Sequence, residues 1–116
     1  MKWRTRPKYN NTKTEVDGWK FDSIAEANRY KELKLLQRSG DVLNIDIHPV
    51  FRLSPVTRYE ADFTVYYRDG KIEVEDVKGV ETEAFKIKEK MFNHMHPLAP
   101  LIKIKKGKKG RGSWKD

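Results

Sequence analysis

Asp76 and Lys78 lie two residues apart in KIEVEDVK (71–78), directly ahead of Gly79. Strand side chains alternate between faces with period 2, so in a strand this acid and this amine share a face. The same acid-x-lysine spacing occurs at Glu32 and Lys34 and at Asp69 and Lys71, but the first pair falls in a helical pattern and the second in a turn. Two kinds of chemistry suit the pair at 76 and 78. One is a simple ion pair. The other is a site where the acid holds a divalent cation while the lysine contacts a metal-bound water or offsets charge on a phosphate.

The preceding strand pattern, YEADFTVYY (59–67), supplies Asp62. If Arg68, Asp69 and Gly70 form a three-residue hairpin loop with Gly70 left-handed, Tyr67 pairs with Lys71 and the register runs back to place Asp62 opposite Asp76. A two-residue turn at Asp69-Gly70 would instead set Asp62 opposite Val77 and turn the two carboxylates to opposite faces. Facing carboxylates destabilise a sheet unless their pKa values split or a cation lies between them. Oxygen-only ligands suit Mg²⁺, with Mn²⁺ as substitute. In the first register Lys78 faces Glu60, so a cross-strand ion pair is its structural alternative.

A fourth candidate is Glu26, in the helical pattern DSIAEANRYKELKLLQRSG (22–40), where it shares a stripe with Tyr30, Leu33 and Gln37. It can reach toward the strands as a further metal ligand, or it can close a capping box with Ser23.

These residues need a scaffold, and the periodic segments outline one. TEVDGWKF (14–21) reads as a hairpin turning at Asp17-Gly18. The helix over 22–40 ends at Gly40. DVLNIDIHPVFRL (41–53) reads as one or two strands broken near Pro49. After the two strands carrying Asp62 and Asp76 comes a second helix, TEAFKIKEKMFNHM (82–95), with Phe85, Phe92 and Met95 on one stripe and Ala84, Ile87 and Met91 beside it. PLIKIK (100–105) reads as a short last strand. The expected fold is α/β or α+β: a mixed sheet of four or five strands flanked by two helices.

With 116 residues, 37% apolar and 36% charged, the chain fits one domain with a small core. There is no cysteine, which excludes disulfides and thiolate metal sites. The N-terminus lacks the apolar stretch of a secretory signal. No apolar run approaches the roughly 18 residues of a membrane helix. A soluble, cytoplasmic protein without a membrane partner is expected.

The net charge of +8 is unevenly placed: residues 1–14 carry +5, residues 15–102 carry −3 and residues 103–116 carry +6. The expected organisation is a basic arm (1–13), a folded domain (14–105) and a basic tail (106–116). Two basic ends on a near-neutral body suit a polyanion, nucleic acid being the commonest. Candidate phosphate contacts are Arg4, Arg6, Lys105, Lys106, Lys108, Lys109 and Arg111. Lys86 and Lys90, one helical turn apart, join them or form a solvated helix face. Trp3, Tyr9 and Trp114 lie among the basic residues and can stack on bases; Trp3 and Tyr9 can instead pack on the body. His94 and His96 lack the spacing of a helical zinc pair, and they and His48 read as structural or surface residues.

Glu26 on a helix, Asp62 on a strand and Asp76-Val77-Lys78 before Gly79 resemble the PD-(D/E)XK nuclease superfamily. The likeness is greatest to its small phage and prophage members, and the layout is similar to the Holliday-junction resolvases of archaea. It runs over residues 8–95. The resemblance implies a restriction-endonuclease-like core in which Asp62, Asp76 and the Val77 carbonyl hold Mg²⁺, Lys78 positions the attacking water and Glu26 is the helix glutamate. Ala61 stands where the name-giving proline would be, and Asp76 replaces the commoner glutamate. The resemblance further implies a homodimer, branched DNA as substrate and, for a phage protein, the host cytoplasm as its place. The expected activity is Mg²⁺-dependent endonucleolytic cleavage of DNA. The competing expectation is a non-catalytic DNA- or RNA-binding protein of the same fold.

Overall fold

The computed structural model describes residues 13–105. Its elements are β1 (Thr14–Val16), β2 (Trp19–Phe21), α1 (Ile24–Ser39), β3 (Val42–Ile47), β4 (Val50–Ser54), β5 (Thr57–Glu60), β6 (Phe63–Tyr67), β7 (Ile72–Lys78), α2 (Glu83–Met95) and β8 (Ile102–Lys105). The fold is α+β. A mixed four-stranded sheet in the order β3-β6-β7-β8 is accompanied by two ribbons, β1-β2 and β4-β5, and by the two helices.

Local chemistry explains the junctions. Asp17 and Gly18 both have positive φ (54° and 82°), as the tight turn between β1 and β2 requires. Helix α1 starts at Ser23, whose hydroxyl accepts from the Glu26 N–H at 3.1 Å, and ends at Gly40. Between β6 and β7 the loop is the three-residue form: Tyr67 N–H donates to Lys71 O at 2.9 Å and Gly70 has φ 96°. Tyr66 therefore pairs with Ile72, Thr64 with Val74 and Phe63 with Glu75. Strands β7 and β8 run parallel with α2 as the crossover.

Two apolar clusters lie on either side of the sheet. Phe63 and Val65 pack with Phe21, Ala27, Tyr30 and Leu33 of β2 and α1, and Val77 joins them. Val74 packs with Leu53, Tyr59, Ala61, Phe85, Phe92 and Leu101, from the β4-β5 ribbon, α2 and the start of β8. Alternation along β7 thus sends Glu75 and Val77 toward α1, and Val74, Asp76 and Lys78 toward α2.

Two segments depart from the sequence pattern. The run 59–67 is not one strand. Tyr59 and Glu60 belong to β5 and pair with β4, while Phe63 begins β6. Between them Ala61 N–H donates to Pro49 O at 2.9 Å and Asp62 N–H to Glu75 O at 3.1 Å, so the chain changes partners at these two residues. In α2 only Phe85 and Phe92 are buried; Ile87 and Met95 are exposed. The helix docks along a narrow stripe that also carries Glu89, which meets Lys103 of β8 at 3.2 Å.

One buried ion pair ties α1 to the sheet. Glu75, 1% exposed, receives both Arg29 Nε (2.8 Å) and Nη2 (2.6 Å), and Arg29 Nη1 reaches Glu32 at 2.7 Å. This two-pronged geometry compensates a charge that burial would otherwise penalise heavily. Arg29→Ala should lower unfolding stability by about 3–5 kcal/mol in urea, because it strands the Glu75 carboxylate. Joining Glu75→Leu to it should recover most of that loss.

Candidate active site

Arg29 lies one helical turn after Glu26, and Glu75 lies one residue before Asp76, so their ion pair also fixes where two candidate acids stand. Glu26 approaches from the α1 side of the sheet and Asp76 with Lys78 from the α2 side. Asp62 sits just ahead of the last β6-β7 pair, Phe63 with Glu75, in the two-residue crossing from β5 to β6.

Glu26 is 4% exposed. Its Oε1 accepts from Asp22 N–H at 3.2 Å and its Oε2 lies 2.9 Å from His48 Nε2. The capping role and the inward reach are therefore not exclusive: the backbone of Glu26 takes the Ser23 cap while its side chain serves both the helix start and the site. Asp76 is likewise 4% exposed. Its Oδ2 accepts from the Tyr59 hydroxyl and its Oδ1 lies 3.3 Å from Lys78 Nζ. Burial, then the bond to Asp76, holds the Tyr59 hydroxyl well above the usual phenol range, so Tyr59 stays a donor. Lys78 Nζ also stands 4.0 Å from the centre of the Phe85 ring. The ion pair with Glu60 does not form; Glu60 pairs with Val50 in the β4-β5 ribbon, and Lys78 turns to Asp76 instead.

Asp62 Oδ2 accepts from Val77 N–H at 2.7 Å. Its carboxyl is pushed up to about 9, first by burial, then by the charge of Asp76, then by that of Glu26, against the lowering effect of the Val77 bond. Asp76 of β7 and Glu26 of α1 thus each repel Asp62 of the β5-β6 crossing, and a proton on Asp62, bonded toward Glu26, relieves that repulsion. Among the described residues no group of three or more His, Cys, Asp or Glu is arranged to hold a metal ion. Each of the three carboxylates is tied to at least one protein donor, so a cation would have to displace some of these bonds. The donor set is nonetheless that of a hard divalent cation: carboxylate oxygens, no sulfur, and surplus negative charge where a proton now serves.

Lys105 pairs with Lys78 across β7 and β8, which brings a second ammonium to this end of the sheet. Lys86 and Lys90 are exposed on α2, Lys86 loosely facing Glu83 at 3.7 Å. Arg4, Arg6, Lys106, Lys108, Lys109 and Arg111, with Trp3, Tyr9 and Trp114, lie outside the described residues. His96 stacks on Phe92 at 4.2 Å and His94 is exposed, as structural and surface histidines would be. His48 differs, since it contacts a site carboxylate. Neither His48 nor Tyr59 stands out by spacing, because both reach the site through the corner and ribbon that the pattern does not resolve.

Fold and site together define an α+β domain with a mixed sheet that carries, at one end, the buried acids Glu26 and Asp76 with the half-buried Asp62 and Lys78. The chain belongs to the family described as "Protein of unknown function (DUF1064)", which it matches over residues 6–111. Comparison with curated proteins and with solved structures finds no match.

The repulsion at Asp62 has a consequence for stability. With its carboxyl pushed up to about 9 by burial first and then by the neighbouring acids, Asp62 holds a proton more tightly in the folded chain than in the unfolded one, where its value is 3.8. Folding therefore takes up a proton between those values, and stability falls as pH rises through this range. Asp62→Asn removes this loss: at pH 8 its Tm should exceed the parent's, the gap should widen as pH rises from 4 to 8, and it should close below pH 4. Thermal melts across pH in the presence of chelator read this out.

Proposed function

We propose that this protein is a divalent-cation-dependent nuclease that hydrolyses phosphodiester bonds in DNA. The observation that carries the reading is the convergence of Glu26 and Asp76 on the Asp62 carboxyl, with Lys78 beside Asp76. A cluster of acids that destabilises its own fold needs a ligand to justify it, and active sites are where such perturbed groups gather. Glu26, Asp62 and Asp76 would hold the ion, with the Val77 carbonyl as a further oxygen. Bound there, Mg²⁺ or Mn²⁺ would supply Lewis acidity and a more acidic water.

The chain's own residues do the rest. Lys78 places a positive charge next to the acids, where a scissile phosphate gains negative charge, and its stacking on Phe85 limits the directions it can take. Tyr59 holds one oxygen of Asp76 and so fixes the rotation of that carboxylate. Lys105 beside Lys78, the exposed Lys86 and Lys90, and the basic ends at residues 1–13 and 106–116 would bind backbone phosphates without reading sequence. This reading places the protein in the cytoplasm, where DNA is within reach; no described helix is long and apolar enough to cross a membrane. A branched DNA substrate follows only from the likeness to resolvases.

One finding favours the competing reading of a non-catalytic DNA- or RNA-binding protein: the carboxylates already have protein donors, and Lys78 is already paired. Cleavage assays separate the two. Purified protein incubated with supercoiled plasmid and branched DNA should cut with Mg²⁺ or Mn²⁺ and not with chelator. Asp62→Ala and Asp76→Ala should abolish cutting yet retain DNA binding in gel-shift assays, and Lys78→Ala should slow cutting about 100-fold or more. DNA binding by the parent without cutting in either metal establishes the binding protein instead.

A further inference from the structure

His48 occupies the corner between β3 and β4 with φ 55°. Residues other than glycine seldom keep a left-handed backbone unless their surroundings hold them there. Three contacts hold His48. Its N–H donates to Asp62 O at 2.9 Å, its Nε2 lies 2.9 Å from Glu26 Oε2, and its ring meets Phe21 edge-on with centroids 5.8 Å apart. The next residue strengthens the tie, because Pro49 O accepts from Ala61 N–H at 2.9 Å. A plain corner would be served at lower cost by glycine or asparagine, which enter the left-handed region more readily. The backbone bond to Asp62 O continues the β3-β6 pairing past Ile47 and Phe63; what a plain corner does not explain is the side chain bonded to the Glu26 carboxylate.

We propose that His48 is a positioning residue for the cation site. Through Nε2 it holds the Glu26 carboxylate at the site, and through its backbone N–H it holds the main chain at Asp62, so that one residue sets the spacing between the helix acid and the acid of the β5-β6 crossing. Its backbone strain is sustained by these bonds. The inference rests on the cation site described under the proposed function. It adds a residue outside the acid-and-lysine set and gives the β3-β4 corner a role in metal affinity. Hydrogen-bond partners of ligating groups typically alter metal affinity 10–100-fold when removed.

Mn²⁺ titration followed by electron paramagnetic resonance tests this without an activity assay. His48→Ala should weaken Mn²⁺ binding ~10-fold or more. His48→Gln, whose side-chain amide nitrogen can stand where Nε2 stands, should stay closer to the parent than to the alanine variant. His48→Gly relieves the backbone, so its melting temperature in chelator should equal or exceed that of His48→Ala, while its Mn²⁺ binding should be as weak. That split separates positioning from folding. Parent-like Mn²⁺ affinity in both the alanine and glycine variants would overturn the inference while leaving the cation site standing, and so would a glutamine variant as weak as alanine. A parent whose Mn²⁺ binding is absent, or is unaffected by Asp76→Ala, would overturn the cation site and this inference with it.

Discussion

Repulsion of the half-buried Asp62 carboxylate by the buried Glu26 and Asp76 is the constraint around which this end of the fold is arranged. Glu26, Asp62 and Asp76 come from three separate elements, and burial first, then the charges of Asp76 and Glu26, push the Asp62 carboxyl up. Sheets avoid such encounters, since like charges in cross-strand positions are destabilising. Here the encounter is held in place by flanking interactions: the Arg29–Glu75 ion pair between α1 and β7, the Tyr59 hydroxyl on Asp76, and the His48 corner between Glu26 and Asp62. Each flanking contact is adjacent in sequence or directly bonded to one of the acids. Stability is thereby given up at one end of the sheet and recovered in the clusters on its two faces.

The rest of the charge distribution is consistent with that end of the sheet meeting a polyanion. Lys78 and Lys105 lie side by side on β7 and β8, which run parallel toward the site. The strongly basic run that follows Lys105 in sequence continues from there. The basic N-terminal run leads into β1, whose partner β2 hands the chain to the start of α1, where Glu26 lies. Lys13, at its end, pairs with Asp22 beside the helix cap at 3.1 Å. Both basic runs therefore join the folded part through elements that lead to or from the acids. Some of the body's positive charge is neutralised locally, as at Lys103, which lies between Glu81 (3.1 Å) and Glu89 (3.2 Å).

Much of this arrangement could be read from residue order. The Ser23 cap, the Gly40 stop, the Asp17-Gly18 turn and the three-residue loop at Gly70 are local signals whose physics acts within a few residues, and each appears in the structure. The loop matters most, because it fixes the register that brings Asp62 near Asp76. What could not be read depends on long-range choices. Residues 59–67 look like one strand, and only the competition between the β4 and β7 ladders divides them at Ala61 and Asp62. Nothing local marks Glu75 for burial, yet it is 1% exposed and bonded to Arg29, 46 positions away. Ile87 and Met95 fit an apolar stripe but stay exposed, because the surface offered to α2 is narrower than the stripe. His48 and Tyr59 gain their roles solely from where the corner and the ribbon place them.

The central claim is that the three acids share one divalent cation. Anomalous diffraction from crystals soaked in Mn²⁺ locates such an ion directly. The account predicts a single strong peak within bonding distance of carboxylate oxygens from Glu26, Asp62 and Asp76, about 2.0–2.4 Å away. Saturating Mn²⁺ with no peak there, or a peak bound to other groups while the three carboxylates keep their bonds to Val77, Tyr59 and His48, would contradict it.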